Sequence, residues 1–284
     1  MIAHSPDKSF HYALNRHMML AVDIGNTNVT FGLFRGKRLV RTFAVPTNGW
    51  RSGRRPRLPR VQSADAAIIC SVVPWATPKV AKAVRSLGVR RVRVVGRDVK
   101  VPLKNRYRYP RQVGQDRLVG AYAAWCAYGA PRGRPAGRSP ERPRGRAARD
   151  AARDVVVCDF GTAITIDVVT GKGEYLGGVI APGLGISLDA LANRTALLPK
   201  VALRKPPELL GRDTANSIRS GVLYGTAALC DGLVLALKRR YAPNATVVAT
   251  GGSAPLIARY ARTIVRLRPH LVLEGLQIIF LNSK

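Results

Sequence analysis

Acidic residues are scarce in this chain of 284 residues: 16 Asp and Glu stand against 47 Lys and Arg, a formal net charge of +31. Such a balance is more usual in proteins that bind nucleic acids. No helix-turn-helix, zinc-finger or RNA-recognition pattern accompanies it, so sequence-specific recognition is not expected. The excess is concentrated in two stretches: 51–60 is rich in Arg and Pro, and 131–153 holds eight arginines, four prolines and three glycines. Neither has helical or strand periodicity, nor aromatics interleaved for stacking on bases. Both read as solvated insertions with at most non-specific affinity for polyanions. The four cysteines, Cys70, Cys126, Cys158 and Cys230, form no Cys-x-x-Cys pair. Their apolar contexts fit buried, reduced thiols in a cytoplasmic protein better than zinc ligands or disulfides. The histidines (His4, His11, His17, His270) belong to no motif, so none is a metal-ligand or nucleophile candidate. No run of about 18 uncharged apolar residues occurs, so no transmembrane helix is expected. A Gly-x-x-x-x-Gly-Lys-Ser/Thr loop is missing as well, which excludes a P-loop mechanism. Residues 1–18 lack a hydrophobic signal core. They are expected to be a disordered extension or the product of an early start, because Met18 and Met19 abut the first strand.

What the chain does have is a theme stated twice. The run 20–32, with Asp23-Ile24-Gly25-Asn26-Thr27-Asn28-Val29-Thr30 at its centre, recurs in outline as 155–167, around Asp159-Phe160-Gly161-Thr162-Ala163-Ile164-Thr165. Each is an apolar run ending in Asp, then Gly two positions on, a Thr-bearing turn and a second alternating run. The pattern is strand, tight turn, strand. Such a tip suits a nucleotide: glycine lets backbone N–H groups approach phosphate oxygens, and the carboxylate can hold the accompanying cation. A single Asp-x-Gly would be a commonplace turn. Two copies on hydrophobic strands imply two related half-domains serving one nucleotide. Alternating strands and helices around both hairpins fit an α/β fold, and 46% apolar residues suffice for two cores. The expected divisions are the extension 1–18, an N-terminal domain 19–130, the insertion 131–153 and a C-terminal domain 154–284.

These motifs resemble the acetate and sugar kinase/actin superfamily, and others narrow the resemblance. Cys70-Ser71-Val72-Val73-Pro74, Val113-Gly114-Gln115-Asp116-Arg117, Asp159-Phe160-Gly161-Thr162-Ala163, Ile180-Ala181-Pro182-Gly183-Leu184-Gly185, Gly211-Arg212-Asp213-Thr214 and Thr250-Gly251-Gly252 follow one another as in type III pantothenate kinases. Gly-x-Asp-Arg together with Asp-x-Gly-Thr-Ala is specific to that family. The resemblance runs from about Met19 onward and implies two actin-like, ribonuclease H-like domains with duplicated β-hairpin phosphate loops. It also implies ATP-dependent phosphorylation of pantothenate to 4′-phosphopantothenate, the entry to coenzyme A synthesis, in a homodimer whose pantothenate pocket the partner subunit completes.

Residue roles follow by the same resemblance. Asp116 is the general base: phosphorylating an alcohol needs the hydroxyl aligned with the γ-phosphate and its proton accepted. Asp23, Ile24, Gly25, Asn26, Thr27, Asn28, Val29 and Thr30 contact ATP, with Asp23 facing Mg²⁺ through water. Thr162 contacts ATP from the second loop, and Asp159 ligates a monovalent cation such as K⁺ or NH₄⁺, which prefers oxygen ligands. Gly114, Gln115, Asp116, Arg117 and Thr214 contact pantothenate. Thr214 also stands where a helix N-cap is expected. Tyr107 fits the pantothenate pocket or core packing about equally, Asp167 a direct role or a strand-end ion pair, and Gly251-Gly252 an adenine-side turn or plain turn chemistry. The segment 45–63 is short and Arg/Pro-rich where relatives carry a helix. With the 131–153 insertion it bears on the dimer contact. The rival readings are a non-catalytic actin-like relative with a regulatory or polyanion-binding role, a nucleic-acid-associated protein, and a kinase of another small molecule. The first should have lost Asp23, Asp116 or Asp159; all three are present.

Overall fold

A computed structural model describes residues 18–51, 56, 58, 64–131 and 152–283. Residues 1–17 and most of the two Arg-rich stretches lie outside the described residues. Two sheets are built on one plan. In the first, β1 (Met18–Ile24), β2 (Asn28–Arg35) and β3 (Arg38–Pro46) form an antiparallel meander, and β4 (Ala64–Ser71) and β5 (Arg91–Val94) add in parallel on the far side of β1. The strand order is therefore β3-β2-β1-β4-β5. In the second, β7 (Val155–Phe160), β8 (Ala163–Val169) and β9 (Glu174–Pro182) form the meander, and β10 (Thr246–Thr250) and β11 (Arg266–Leu267) add in parallel beyond β7. Read from β9, the order β9-β8-β7-β10-β11 repeats the first sheet strand for strand. This duplicated topology is the actin-like fold.

Alternate residues of each hairpin strand pack into one core. Leu20, Val22 and Ile24 point into a core with Ala67, Ile69 and the helix α1 (Thr77–Ser86), whose Val80, Ala81, Ala83 and Val84 are buried. In the second sheet, Val156, Cys158, Ile164 and Ile166 pack on α3 (Leu184–Arg194) and on the 28-residue α4 (Thr214–Tyr241). By length and hydropathy α4 could cross a membrane, although Arg219 and Asp231 interrupt its apolar run. Here it is a core helix, with Ile218, Val222, Leu223, Ala227, Cys230 and Val234 buried on its inner side. The helix α2 (Gln115–Ala124) continues as a π-helical turn, Trp125–Gly129, and a short α5 (Ala254–Ile257) and α6 (Leu271–Asn282) complete the elements.

The compact units cut the chain differently from boundaries at 130 and 154. One comprises residues 1–102, 114–119 and 272–284; the other comprises 103–113 and 120–271. Two causes are visible. The two-residue strand β6 (Lys104–Asn105) pairs with β9, drawing 103–113 into the second unit. α6 closes the first unit: Leu273 lies against Gly32, Gln277 Nε2 donates to Gly36 O at 3.0 Å, and Arg93 donates to Ser283.

Candidate active site

Asp23, the penultimate residue of β1, lies between two register partners, Thr30 on β2 and Cys70 on β4. Partners in register share a sheet face, so the Asp23 carboxylate and the Cys70 thiol lie on the same side. After Ile24, which is fully buried, the chain turns through Gly25, whose N–H bonds to Asn28 O at 3.0 Å. Asn26, Thr27 and Asn28 are exposed, while Val29 is buried again. The side chains of Ile24 and Val29 thus anchor the loop, leaving only their backbone for a ligand. A residue that the motifs did not single out locks this loop. Thr47, 1% exposed, donates its hydroxyl to Gly25 O at 2.7 Å and its backbone N–H to Thr27 O at 2.9 Å. Nothing in the sequence marks it, because the bond spans 22 residues and Thr-Asn-Gly reads as an ordinary turn.

Gly-x-Asp-Arg starts α2 in the same unit. Asp116 sits in the first helical turn, and its Oδ1 accepts the Arg117 N–H at 2.7 Å. A Cβ on Gly114 would collide with that oxygen and press on Val72 at 3.4 Å, so glycine is what lets the carboxylate fold back. The helix N-terminus favours its ionised form. Asp116 and Asp23 come together at Cys70. Burial pushes this fully buried thiol far up, and the two carboxylates push it further. Gln115 turns elsewhere, its amide side chain lying over the Gly96 turn, and Arg117 is half-buried.

The second loop repeats the first with different neighbours. Asp159, the penultimate residue of β7, lies between Thr165 on β8 and Thr250 on β10, and Gly161 N–H bonds to Ala163 O at 3.2 Å. Gly251, at φ +92°, passes so close that a Cβ there would strike Asp159 Oδ1 and the Phe160 backbone. The backbone of Gly183 comes up against the carbonyl oxygens of Gly161 and Thr162. A carboxylate and two carbonyl oxygens therefore belong to one short turn. Asp167 is not at this tip. It is 2% exposed and accepts the phenol proton of buried Tyr175 at 2.7 Å. Tyr107 is half-buried with its ring over Gly177 of β9.

Thr214 opens α4 and is exposed, but it is not the cap. Asp213 is, with extended backbone and its carboxylate accepting Asn216 N–H at 2.8 Å. That bond and the Asn216 side chain hold Asp213 below the usual carboxylate range. An aspartate one position earlier out-competes threonine for the same orphan donors, which leaves the Thr214 hydroxyl for other use. Among the described residues no group of three or more His, Cys, Asp or Glu could cage a metal.

The type III pantothenate kinase family matches residues 19–133 and 145–236. The chain belongs to that family. The type III pantothenate kinase 1 of Symbiobacterium thermophilum is 38% identical over 276 residues, covering 93% of this chain and 96% of its own. That of Anaeromyxobacter sp. (strain K) is 39% identical over 277 residues, covering 92% and 98%. Among solved structures, a Campylobacter jejuni protein assigned to the Baf family has a TM-score of 0.57 at 18% identity, covering 93% of this chain and 98% of that one. Likeness at that level speaks to the fold alone. Every position that the type III pantothenate kinase motifs supply falls at a strand end, a tight turn or a helix start, where backbone groups are open to a ligand.

Proposed function

We propose that this protein transfers the γ-phosphoryl group of ATP to the primary hydroxyl of pantothenate, giving 4′-phosphopantothenate at the first step of coenzyme A synthesis. One observation carries the reading: in a member of this family, the phosphate-loop residue Asp23 is in register with Cys70, and Gly114 of Gly-x-Asp-Arg comes up against Val72, two residues further along the same segment. Asp116 takes the hydroxyl proton as the new P–O bond forms. The loop 23–30 supplies backbone N–H groups to the phosphates. Bound Mg²⁺ would neutralise charge on the phosphoryl oxygens. One carboxylate, Asp23, reached through water, fits an ion that keeps most of its hydration shell. In the other unit, Asp159 with the Gly161 and Thr162 carbonyls has the all-oxygen character that suits K⁺ or NH₄⁺, and Thr162 meets ATP.

For pantothenate, Arg117 offers charged donors, Thr214 a hydroxyl released from capping and Tyr107 an aromatic face. Gly114 and Gln115 contribute backbone. Two features of α4 support a homodimer. Its outer face carries Gly221, Gly225 and Gly232, with nothing near a notional Cβ, and beside them Leu229 and Leu235 are 40% and 51% exposed. A second copy of the chain fits that small, apolar stripe, and Leu229→Asp should shift the protein to monomer in sedimentation. Four free cysteines, three of them buried, agree with a reducing cytoplasm. The deciding experiment is a coupled assay of ADP release with pantothenate, with and without K⁺. No pantothenate-dependent ADP release would remove the proposal. The three carboxylates a non-catalytic relative would have lost are all in place.

A further inference from the structure

The first sheet has two chemically different ends. One carries Asp23, Ser71 and the phosphate loop. The register pairs Met18↔Arg35, Arg35↔Arg38, Met18↔Ala64 and Ala66↔Arg91 bring the other ends of all five strands together. That remote end holds Arg35, Lys37, Arg38, Arg90 and Arg91, every one exposed, and one acid, Asp65. Gly36, Asp65 and Arg91 line a shared small pocket with Met18 and Gln277, so the β2–β3 turn and the start of β5 are neighbours around one rim. The imbalance is regional. From residue 24 to residue 97 the chain has 16 Lys and Arg and a single acid.

We propose that this end of the sheet binds the phosphodiester backbone of nucleic acid without regard to sequence, independently of the kinase reaction. Protection of sheet edges by charge accounts for Arg38 on β3 and Arg91 on β5, the two edge strands. It does not account for Arg35 on interior β2, for Lys37 in the turn or for Arg90 before β5. None of the five stands in an ion pair among the described residues, in contrast to Arg97, Lys104, Arg106, Lys200 and Arg212. The turn is held in place by the Gln277–Gly36 hydrogen bond, so its cations are arranged before a ligand arrives. Five strands spaced about 4.8 Å apart set the outer ones roughly 19 Å from each other. Duplex DNA presents one charge per about 1.7 Å of axis, so that width meets roughly ten phosphates. A membrane is the poorer fit: no aromatic side chain is exposed at this end among the described residues, and surface-bound elements need an apolar face to bury.

The test uses the whole chain and two five-fold variants of equal charge. One carries Arg35→Gln, Lys37→Gln, Arg38→Gln, Arg90→Gln and Arg91→Gln. The control carries Arg194→Gln, Arg204→Gln, Lys205→Gln, Arg239→Gln and Arg240→Gln, all exposed positions of the second unit. Binding of two unrelated 20-bp duplexes, a 20-nucleotide RNA and phosphatidylserine vesicles is titrated from 50 to 200 mM salt. Arg-rich stretches elsewhere are common to all three proteins, so the difference reads the sheet end alone. The first variant should lose at least about ten-fold in duplex affinity and flatten the log–log salt slope by up to about 4.5, at 0.9 per contact. The control should stay within a few-fold, both duplexes should bind alike, and kinase turnover should persist in each. RNA bound in parallel with duplex points to the shared backbone, and RNA unbound narrows the ligand to duplex. Equal losses in both variants, no binding by the parent chain at 50 mM salt, or a loss confined to vesicles each overturn the proposal.

Discussion

The two phosphate loops occupy equivalent places on two sheets of one topology, yet they are held differently. The first is tied by a side chain: Thr47 grips the Gly25 and Thr27 carbonyls from beneath, and the tip stays open. The second is crowded by backbone: Gly251 and Gly183 press on Asp159 and on the Gly161 and Thr162 carbonyls. One loop is thus an open set of donors with a base, Asp116, in its own unit; the other is a cluster of oxygens under glycine. A duplicated scaffold fixes where a ligand can sit, and the packing around each copy decides what it can hold.

The comparison breaks most sharply at Asp116. Asp116→Asn should cut turnover about 10²–10⁴-fold, the usual value of general base help, while ATP affinity measured by calorimetry is retained. Turnover within a few-fold of the parent would take the base away from the first unit. Next in size is the second loop. Asp159→Ala should raise the apparent KM for ATP by roughly ten-fold or more, the effect of one charged contact worth about 1.5–3 kcal/mol. It should also abolish any difference between K⁺ and Na⁺ buffers. Parent protein indifferent to the cation would leave the oxygen cluster without its proposed occupant. The smallest effect belongs to the side-chain lock. Thr47→Val removes one hydroxyl bond, worth about 0.5–1.5 kcal/mol, so the KM for ATP should rise two- to ten-fold with turnover nearly unchanged. Thr47→Ser should restore it. A fall in turnover without a KM change would mean that Thr47 acts on the base rather than on the loop.

The hairpins were legible because period-2 apolar runs closed by Asp-x-Gly admit few other structures, and the placing of Asp23, Asp116 and Asp159 at strand ends or helix starts followed from them. The strand β6 was not legible: two residues, Lys104 and Asn105, carry no pattern, and only pairing with β9 makes them a strand. Gln115 and Asp116, although polar, already belong to α2. The Thr214 cap was displaced because Asp213 and Thr214 are both good caps and sequence alone does not rank neighbours. The convergence of two carboxylates on Cys70 depends on a parallel pairing of β1 with β4, which β2, β3 and residues 47–63 separate in sequence.

The helix α6 also has a consequence for synthesis. The first unit gathers residues 18–102, but its wall is supplied by residues 272–282. On a ribosome elongating at about 5–20 residues per second, the early strands would wait on the order of ten to thirty seconds for that wall. Meanwhile the sheet face around Gly32 and Phe34 stays uncovered, and the second unit, nearly contiguous in sequence, can finish first. The half of the molecule that bears the base is begun first and closed last, so the nascent chain is most exposed to chaperones and proteases on its N-terminal side.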